Sequence, residues 1–321
     1  MGSDHVTSTA KVTSSTAVHP HHTDPRKSGG IWERYFHIWF ISPVVVFLLV
    51  LTLVPTIYLF YLSLSRWDVI TGTPTFNGLM NYLNLWRDQV FWASLRRTLV
   101  FVSASVSSQL ILGFAMALLI NRPHIKGIGV VRTLIILPMS ITPIVVGLMW
   151  RILYNPSFGL INAFLGLLGI VGPEWLGSKD TALLSVILVD IWQWTPFMFL
   201  MMTAGLQSLP AEPFEAALVD GASGFQILRL ITLPLMKPII LVAVLFRIID
   251  GFKVSTFDSI FIMTKGGPGS ITQTLNIYAF LTGFEWFNLG YASAMVVFTL
   301  VLLTIIGRLF LRMGVFREEM E

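Results

Sequence analysis

SLPAEPFEAALVDGASGFQILRLITLPLMKP, residues 208–238, separates two apolar stretches and differs in composition from both. Pro213 suits the first turn of a helix, where its missing N–H has no partner to lose. Glu215, close behind, complements the positive helix end. Glu215–Val219 therefore reads as a short helix. Gly221 permits a sharp bend, Phe225–Ile231 resumes a helix, and Pro234 is expected to end it. Two short helices at an angle, apolar on one face and carrying few charges, make a knob suited to a partner's groove. The competing reading is a loop packed on its own bundle.

The flanks of this segment decide the class. Of 321 residues, 55% are hydrophobic and only 12% charged, about half the charged share of roughly 25% typical of a soluble domain. A coat that thin cannot cover a compact soluble monomer, so the chain reads as a multi-pass membrane protein. A crossing helix needs about 20 apolar residues. Tyr35–Ser65, Thr98–Asn121, Thr133–Trp150 and Trp286–Gly307 carry no Asp, Glu, Lys or Arg. Thr181–Leu209 carries only Asp190, and Pro238–Thr264 carries Arg247, Asp250, Lys253 and Asp258. The expectation is an all-α fold of six transmembrane helices. Leu160–Val171 is apolar but too short to cross, and reads as a helix at the membrane surface or packed in a loop.

Residues 1–34 are poor in apolar residues and read as a disordered tail; 35–316 form the membrane domain and 317–321 a short second tail. His19, His21 and His22 are weighed as solvated tail rather than metal ligands. If both termini face the cytoplasm, the inner segments hold 12 Lys and Arg and the outer loops 7, which favours that orientation. An excess of 21 basic over 17 acidic residues is explained by helix-end anchoring in lipid and does not call for nucleic acid. With no Cys, disulfides, Cys-ligated metals and thiol nucleophiles are excluded.

Within the spans, Asp190, Gln193, Trp194 and Phe197 recur at i, i+3, i+4 and i+7 and so share one helix face. A carboxylate and an amide bond hydroxyls while rings stack on apolar sugar faces. The alternative is that Asp190 pairs with a neighbouring helix and the rings are packing. In the fifth span, Arg247, Asp250 and Asp258 are expected close to one face, with Lys253 three residues beyond Asp250. Charges at such depth mark a pathway unless they merely pair with one another. Gly266-Gly267-Pro268 reads as a docking or gating loop, or simply as a helix terminator.

Glu215-Ala216-Ala217, then Gly221, then Ile231-x-Leu233-Pro234, at this spacing, resemble the EAA loop of ABC importer permeases, and Asp220-Gly221-Ala222 resembles the carbohydrate branch of that family. Phe76-Asn77-Gly78-Leu79-Met80-Asn81-Tyr82, Arg132 with Leu137-Pro138, Gly159-Leu160-Ile161-Asn162, Trp192-x-x-x-Pro196-Phe197 and Thr264-Lys265-Gly266-Gly267-Pro268 are similar to the carbohydrate branch of that family. The resemblance covers roughly residues 35–316. One departure is that Phe252-Lys253 and Phe257-Asp258 stand two residues further apart than in the family's Phe-Lys-x-Phe-Asp run.

The resemblance implies the type I importer (MetI-like) architecture, in a bacterial or archaeal cytoplasmic membrane. Glu215, Ala216, Ala217, Asp220, Gly221, Ile231, Leu233 and Pro234 would couple to an ATPase, and Asp190, Gln193, Trp194 and Phe197 match positions that touch sugar. The implied partners are a second homologous permease, a dimer of ATP-binding subunits, an extracytoplasmic solute-binding protein and membrane lipid. No Gly-Lys dipeptide occurs, so a GxxxxGK[ST] phosphate loop is absent and ATP with Mg belongs to the partner. No cofactor, catalytic or metal residue is assigned to this chain. Two other classes are weighed: a proton-coupled secondary transporter using Asp190, Asp250 and Asp258, whose usual internal repeats are not visible, and an intramembrane enzyme, for which no acid–base or metal cluster lies within the spans.

Overall fold

The computed structural model describes residues 31–67, 72–121 and 127–314, so most of the expected N-terminal tail and all of 317–321 lie outside the described residues. Two compact units meet at Pro55 and Thr56. The first contributes the beginning of helix α1 (Ile31–Ser63), an apolar helix with Pro43 and Pro55 inside it. α1 already begins at Ile31, four residues before the expected domain boundary.

In the second unit, α1 leads into a hairpin of β1 (Ser65–Trp67) and β2 (Pro74–Phe76), antiparallel with Ser65 opposite Phe76. Then follow α2 (Met80–Arg87), α3 (Gln89–Ile120), α4 (Ile128–Ile136), a 3-10 turn at Leu137–Ser140, α5 (Pro143–Leu153) and α6 (Leu160–Leu167). α7 (Ala182–Ser208), α8 (Glu212–Val219), α9 (Gly224–Ile227), a π turn at Leu228–Thr232 and α10 (Leu233–Gly251) come next. The chain closes with α11 (Val254–Thr264), α12 (Leu275–Phe280), a π turn at Leu281–Glu285 and α13 (Leu289–Gly314).

Among the described residues, five helices are long and apolar enough to cross a membrane: Phe40–Ser63, Gln89–Ile120, Ala182–Ser208, Gly224–Gly251 and Leu289–Met313. A bent pair, Ile128–Ser140 with Pro143–Leu153, turns by 95° and makes a sixth when counted as one span. The straight span expected over Thr133–Trp150 is therefore corrected to a broken one. Proline biases the residue before it away from helix, and Thr142, before Pro143, is extended at ψ 143°. The second span also begins earlier than expected, at Gln89, and carries Arg96 and Arg97 in its first turns.

The fifth span departs most. Pro234 does not end a helix: Gly224–Gly251 is continuous, because the wider π turn just before Pro234 makes room for a ring that would clash with the preceding turn. The stretch Pro238–Thr264 is not one helix either. It breaks at Phe252–Lys253, where Lys253 is extended at φ −96°, ψ −172°. Asp258 therefore sits on α11 while Arg247 and Asp250 sit on α10, and the common face expected for all three does not form.

α3 packs most extensively on α7, along a seam where Gly113 and Ala117 are buried. Small residues four apart let backbones approach closely. A Cβ on Gly113 would meet Met198 Cβ at 2.6 Å and Phe199 N at 2.7 Å. Gln109 touches Asp190 and Gly113 touches Met198, so the two helices run parallel. α10 returns antiparallel, with Met236 against Gly205 and Arg247 against Asp190. The N-termini of α3 and α7 thus share one end of the bundle, and the 208–238 segment lies at the other.

At the first end, Asp88 caps α3 by accepting from Val90 N at 2.8 Å. Its other carboxylate oxygen accepts from Tyr278 at 2.6 Å and Tyr291 at 2.7 Å. One carboxylate thereby ties α3, α12 and α13 together. Burial pushes the Asp88 carboxyl up, but the tyrosine and backbone hydrogen bonds outweigh it and leave the carboxyl below its ordinary value.

Two predictions follow from this packing. Gly113→Leu is expected to lose about 1–3 kcal/mol through overpacking, whereas Gly307→Ala, with nothing within 4 Å of the new methyl, is expected to be neutral or slightly stabilising. Thermal inactivation in detergent compares them, and equal midpoints for the two variants would refute the seam. For Asp88, a depressed carboxyl stabilises above the unfolded pKa near 4 and loses that contribution as pH falls through the folded value. Asp88→Asn is therefore expected to flatten the decline in stability below about pH 4, read from unfolding midpoints across that range.

Candidate functional site

Arg247 on α10 is the hub of a buried polar cluster. It is 2% exposed, Asp190 4% and Gln109 0%. Its Nη2 donates to Asp190 Oδ2 at 3.1 Å and Oδ1 at 3.3 Å, its Nε to Gln109 Oε1 at 3.0 Å, and its Nη1 to Asp250 Oδ2. Gln109 closes the ring by donating to Asp190 Oδ2 at 2.7 Å and to the Asp190 carbonyl at 3.1 Å. The guanidinium carbon lies 4.6 Å from the centroid of the Trp194 ring, within cation–π range. Each of the three guanidinium nitrogens donates a hydrogen bond, and one face is covered by an indole.

The cluster stands between two helix breaks. Gln193, buried on α7, donates Nε2 to the Ile141 carbonyl at 3.2 Å, in the bend between α4 and α5. Asp250 is one residue from the end of α10, and its carbonyl accepts from Lys253 N at 2.9 Å and Thr256 Oγ1 at 3.2 Å. The Lys253 carbonyl is met by Asn276 Nδ2 at 3.0 Å. Irregular backbone at membrane depth is tolerated where protein satisfies its polar groups, as here. The second halves of the two broken spans, α5 and α11, pack on each other. Gly147 allows the approach, because a Cβ there would reach the Ser259 carbonyl at 3.0 Å.

At the opposite end, Gly221 builds an elbow. It takes φ +76°, a conformation only glycine adopts without strain. Its N–H donates to the Leu218 carbonyl and the Ala222 N–H to the Ala217 carbonyl, at 3.2 and 2.9 Å. That paired bonding closes α8 in a Schellman motif. Ser223 then opens α9 with a capping box: its N–H donates to Gln226 Oε1 at 2.7 Å, and its Oγ accepts from Gln226 N. Ala217 is buried, while Leu218, Val219 and Phe225 are 66, 88 and 69% exposed. Glu215, Ala216, Asp220, Leu233 and Pro234 are exposed, and Ile231 is half-buried.

The expected membrane residues are thus divided. Asp190, Gln193, Trp194, Arg247 and Asp250 come together, and Phe197 is half-buried against the core. Lys253 lines a separate, mostly apolar cavity of about 460 Å³ with Leu275 and Leu300. Asp258 lies half-buried on α11 and is not part of the cluster. Sequence reasoning missed Gln109, although a lone amide in the charge-free Thr98–Ile120 stretch was a readable signal. Ile141, which contributes only its carbonyl, left no such signal. Among the described residues, no group of three His, Asp or Glu is arranged for a metal.

A bundle of apolar helices, with a bent pair and the end of α10 meeting at a charged cluster and a capped apolar elbow at one end, suits a membrane translocation subunit. Residues 109–315 match the family described as "binding-protein-dependent transport system inner membrane component". The chain is similar to the "Probable ABC transporter permease protein y4oQ" of Sinorhizobium fredii, with 42% identity over 85% of this chain and 89% of that protein. It is also similar to the "Trehalose/maltose transport system permease protein MalF" of Thermococcus litoralis, with 38% identity over 87% and 93%. Its fold matches a chain of the crystal structure of a bacterial alginate ABC transporter in complex with an alginate pentasaccharide-bound periplasmic protein. The TM-score is 0.75, with 22% identity over 89% of this chain and 97% of that one. The chain belongs to the binding-protein-dependent transport family, as a multi-pass inner-membrane permease of the ABC importer type.

Removing one partner of a buried ion pair typically costs about 3–5 kcal/mol. Arg247→Met strands two carboxylates and is expected to fall in that range. Asp190→Asn keeps an acceptor and leaves Arg247 with Asp250, so its loss is expected to be smaller. The double variant should lose less than the sum of the two singles, since it removes both members of one buried ion pair. Thermal unfolding of the purified chain in detergent reads all three, and additive losses would show that the residues are not coupled.

Proposed function

We propose that this chain forms half of the translocation pathway of an ATP-driven importer for an uncharged sugar or sugar derivative. Its partners are a second homologous permease, a pair of ATP-binding subunits that hold ATP and Mg, and an extracytoplasmic solute-binding protein. Both termini, and the elbow around Gly221, face the cytoplasm of a bacterial or archaeal cell. The membrane domain is residues 35–316 and the coupling segment 208–238. This chain hydrolyses nothing itself.

The observation that carries the reading is mechanical. The exposed elbow continues without interruption into the helix that bears Arg247, which lies roughly 35 Å from Gly224 at 1.5 Å per residue. An ATP-binding subunit that grips Leu218, Val219 and Phe225 therefore moves the polar cluster as one piece with the elbow. Glu212 and Glu215 in the first turn of α8 add charge at the rim of the docking surface.

The charge balance of the cluster supports an uncharged cargo. One guanidinium faces two carboxylates and each of its three nitrogens is already hydrogen-bonded within the cluster, which disfavours a phosphate or carboxylate there. A cargo of the trehalose or maltose kind, as named for the Thermococcus relative, suits an environment of carboxylate, amide and indole.

Gly221→Val forces a β-branched residue into the left-handed region, a penalty of about 1–2 kcal/mol, and disorders the elbow without touching the membrane cluster. In proteoliposomes holding the whole importer, the variant is expected to lose at least tenfold in the ATPase stimulation given by loaded binding protein, with assembly intact. Uptake that persists without any ATP-binding subunit and follows a proton gradient would replace this reading with the secondary transporter.

A further inference from the structure

At the end of the bundle opposite the elbow lies a cavity of about 540 Å³, walled by the hairpin, by α2 and by Trp286, Phe287 and Asn288 just before α13. A smaller cavity of about 290 Å³ adjoins it and shares Asn81, Asn84 and Asn288. Neither takes part in the Arg247 cluster. The lining is unusual for a membrane protein in its composition: amides alternate with the flat rings of Trp67 and Trp286, and Arg66 stands at the edge.

The groove is built rather than incidental. Asn81 is 6% exposed and spends its amide hydrogens on the Ser63 and Ser65 carbonyls, at 2.9 and 2.8 Å. Its side-chain oxygen accepts no hydrogen bond from any described residue, and Asn81 lines both cavities. That oxygen is not sealed from solvent, so it can accept from a ligand hydroxyl in the cavity. Gly290 lets α13 close against this floor, since a Cβ there would lie 2.0 Å from the Ser65 carbonyl. Phe287 is held at φ +55° beside Trp286 in the wall. A bulky residue in that region is strained, and such strain gathers at binding sites.

We propose that this groove is a second saccharide-binding subsite, at the outer mouth of the importer, that holds hydroxyl-rich cargo before it reaches the Arg247 cluster. The proposal rests on the sugar-import reading above. Amides both donate and accept, as neighbouring sugar hydroxyls require, and indole faces stack on the apolar faces of pyranose rings. The volume lies within the roughly 300–1,000 Å³ of small-molecule sites. A protein partner would instead need a surface burying about 1,000 Å² or more, and a concave pocket of this size does not provide it.

The test uses the complete importer in lipid nanodiscs, without its solute-binding protein, and maltose and trehalose as probes. Equilibrium dialysis of labelled sugar measures binding, and ATP-driven uptake in proteoliposomes is measured in parallel with the binding protein restored. Saturable binding of at least one sugar is expected, with Kd raised at least fivefold by Asn84→Leu and by Trp286→Leu. Asn84 is exposed and its side chain makes no hydrogen bond among the described residues, so its variant keeps the test open if Trp286→Leu fails to assemble. Wild-type uptake without measurable direct binding overturns the subsite, as does unchanged affinity in the variants. Loss of binding-protein docking with sugar affinity intact also overturns it, and makes the groove a protein interface. Failure of wild-type uptake of both sugars instead overturns the sugar-import reading.

Discussion

The structure depends on one buried cation. Arg247 sits where lipid or protein surrounds it on every side, and charge at such depth is tolerated only when it is paired and hydrogen-bonded. Two carboxylates, one amide and one indole meet that requirement. They come from α3, α7 and α10, so satisfying the guanidinium fixes the rotation and depth of all three helices together. Apolar packing between spans offers no such register, because a leucine face is as content against lipid as against another helix. The Gly113 seam brings α3 and α7 close, and the Arg247 cluster sets where along their length they stop.

The two helix breaks follow from the same constraint. A helix that ends at membrane depth exposes carbonyls that must find donors. Gln193 supplies one at Ile141, Thr256 supplies one at Asp250 and Asn276 supplies one at Lys253. Gln193 is also the neighbour of Trp194 and three residues from Asp190. The stripe expected on one face of the fourth span is therefore real as a stripe, but it is divided in use. Asp190 and Trp194 hold the cation, and Gln193 holds a bend. The pairing of Asp190 with a neighbouring helix, weighed against sugar contact from the sequence, is present in the structure as a hydrogen-bonded ion pair.

What was legible in the sequence was what a single residue dictates locally. Gly221 announces a positive φ, Pro213 a first turn, and long apolar runs a set of crossings. The misreadings arose where the outcome depends on partners far along the chain. Pro234 carries the usual signal of a helix end, yet a π turn absorbs it because Leu228–Thr232 is anchored at both sides by helix that continues. The break at Phe252–Lys253 has no proline to mark it. Gly251 was the visible clue, and its reason is tertiary: a Cβ there would strike Val102 of α3 at 2.7 Å. Arg247, Asp250 and Asp258 were spaced as one helix face, and only the break, invisible in spacing, separates the third.

The breaks also bear on how motion is passed on. From the elbow to Arg247 the chain is one helix, stiff along its axis, so displacement at Gly224 arrives at the cluster undiminished. Beyond Gly251 the axis is interrupted, and α11 moves instead with α5, its packing partner. The break therefore falls between a segment driven from one end of the bundle and a pair of half-helices held from the other. A shift of α10 relative to α7 acts on the Asp190–Arg247 contact, whereas a shift relative to α11 acts first on Asp250, whose carbonyl accepts from Lys253 N and Thr256 Oγ1. Asp250, bonded to Arg247 yet only one residue from the break, is thus the member of the cluster best placed to change its surroundings while the rest stays intact.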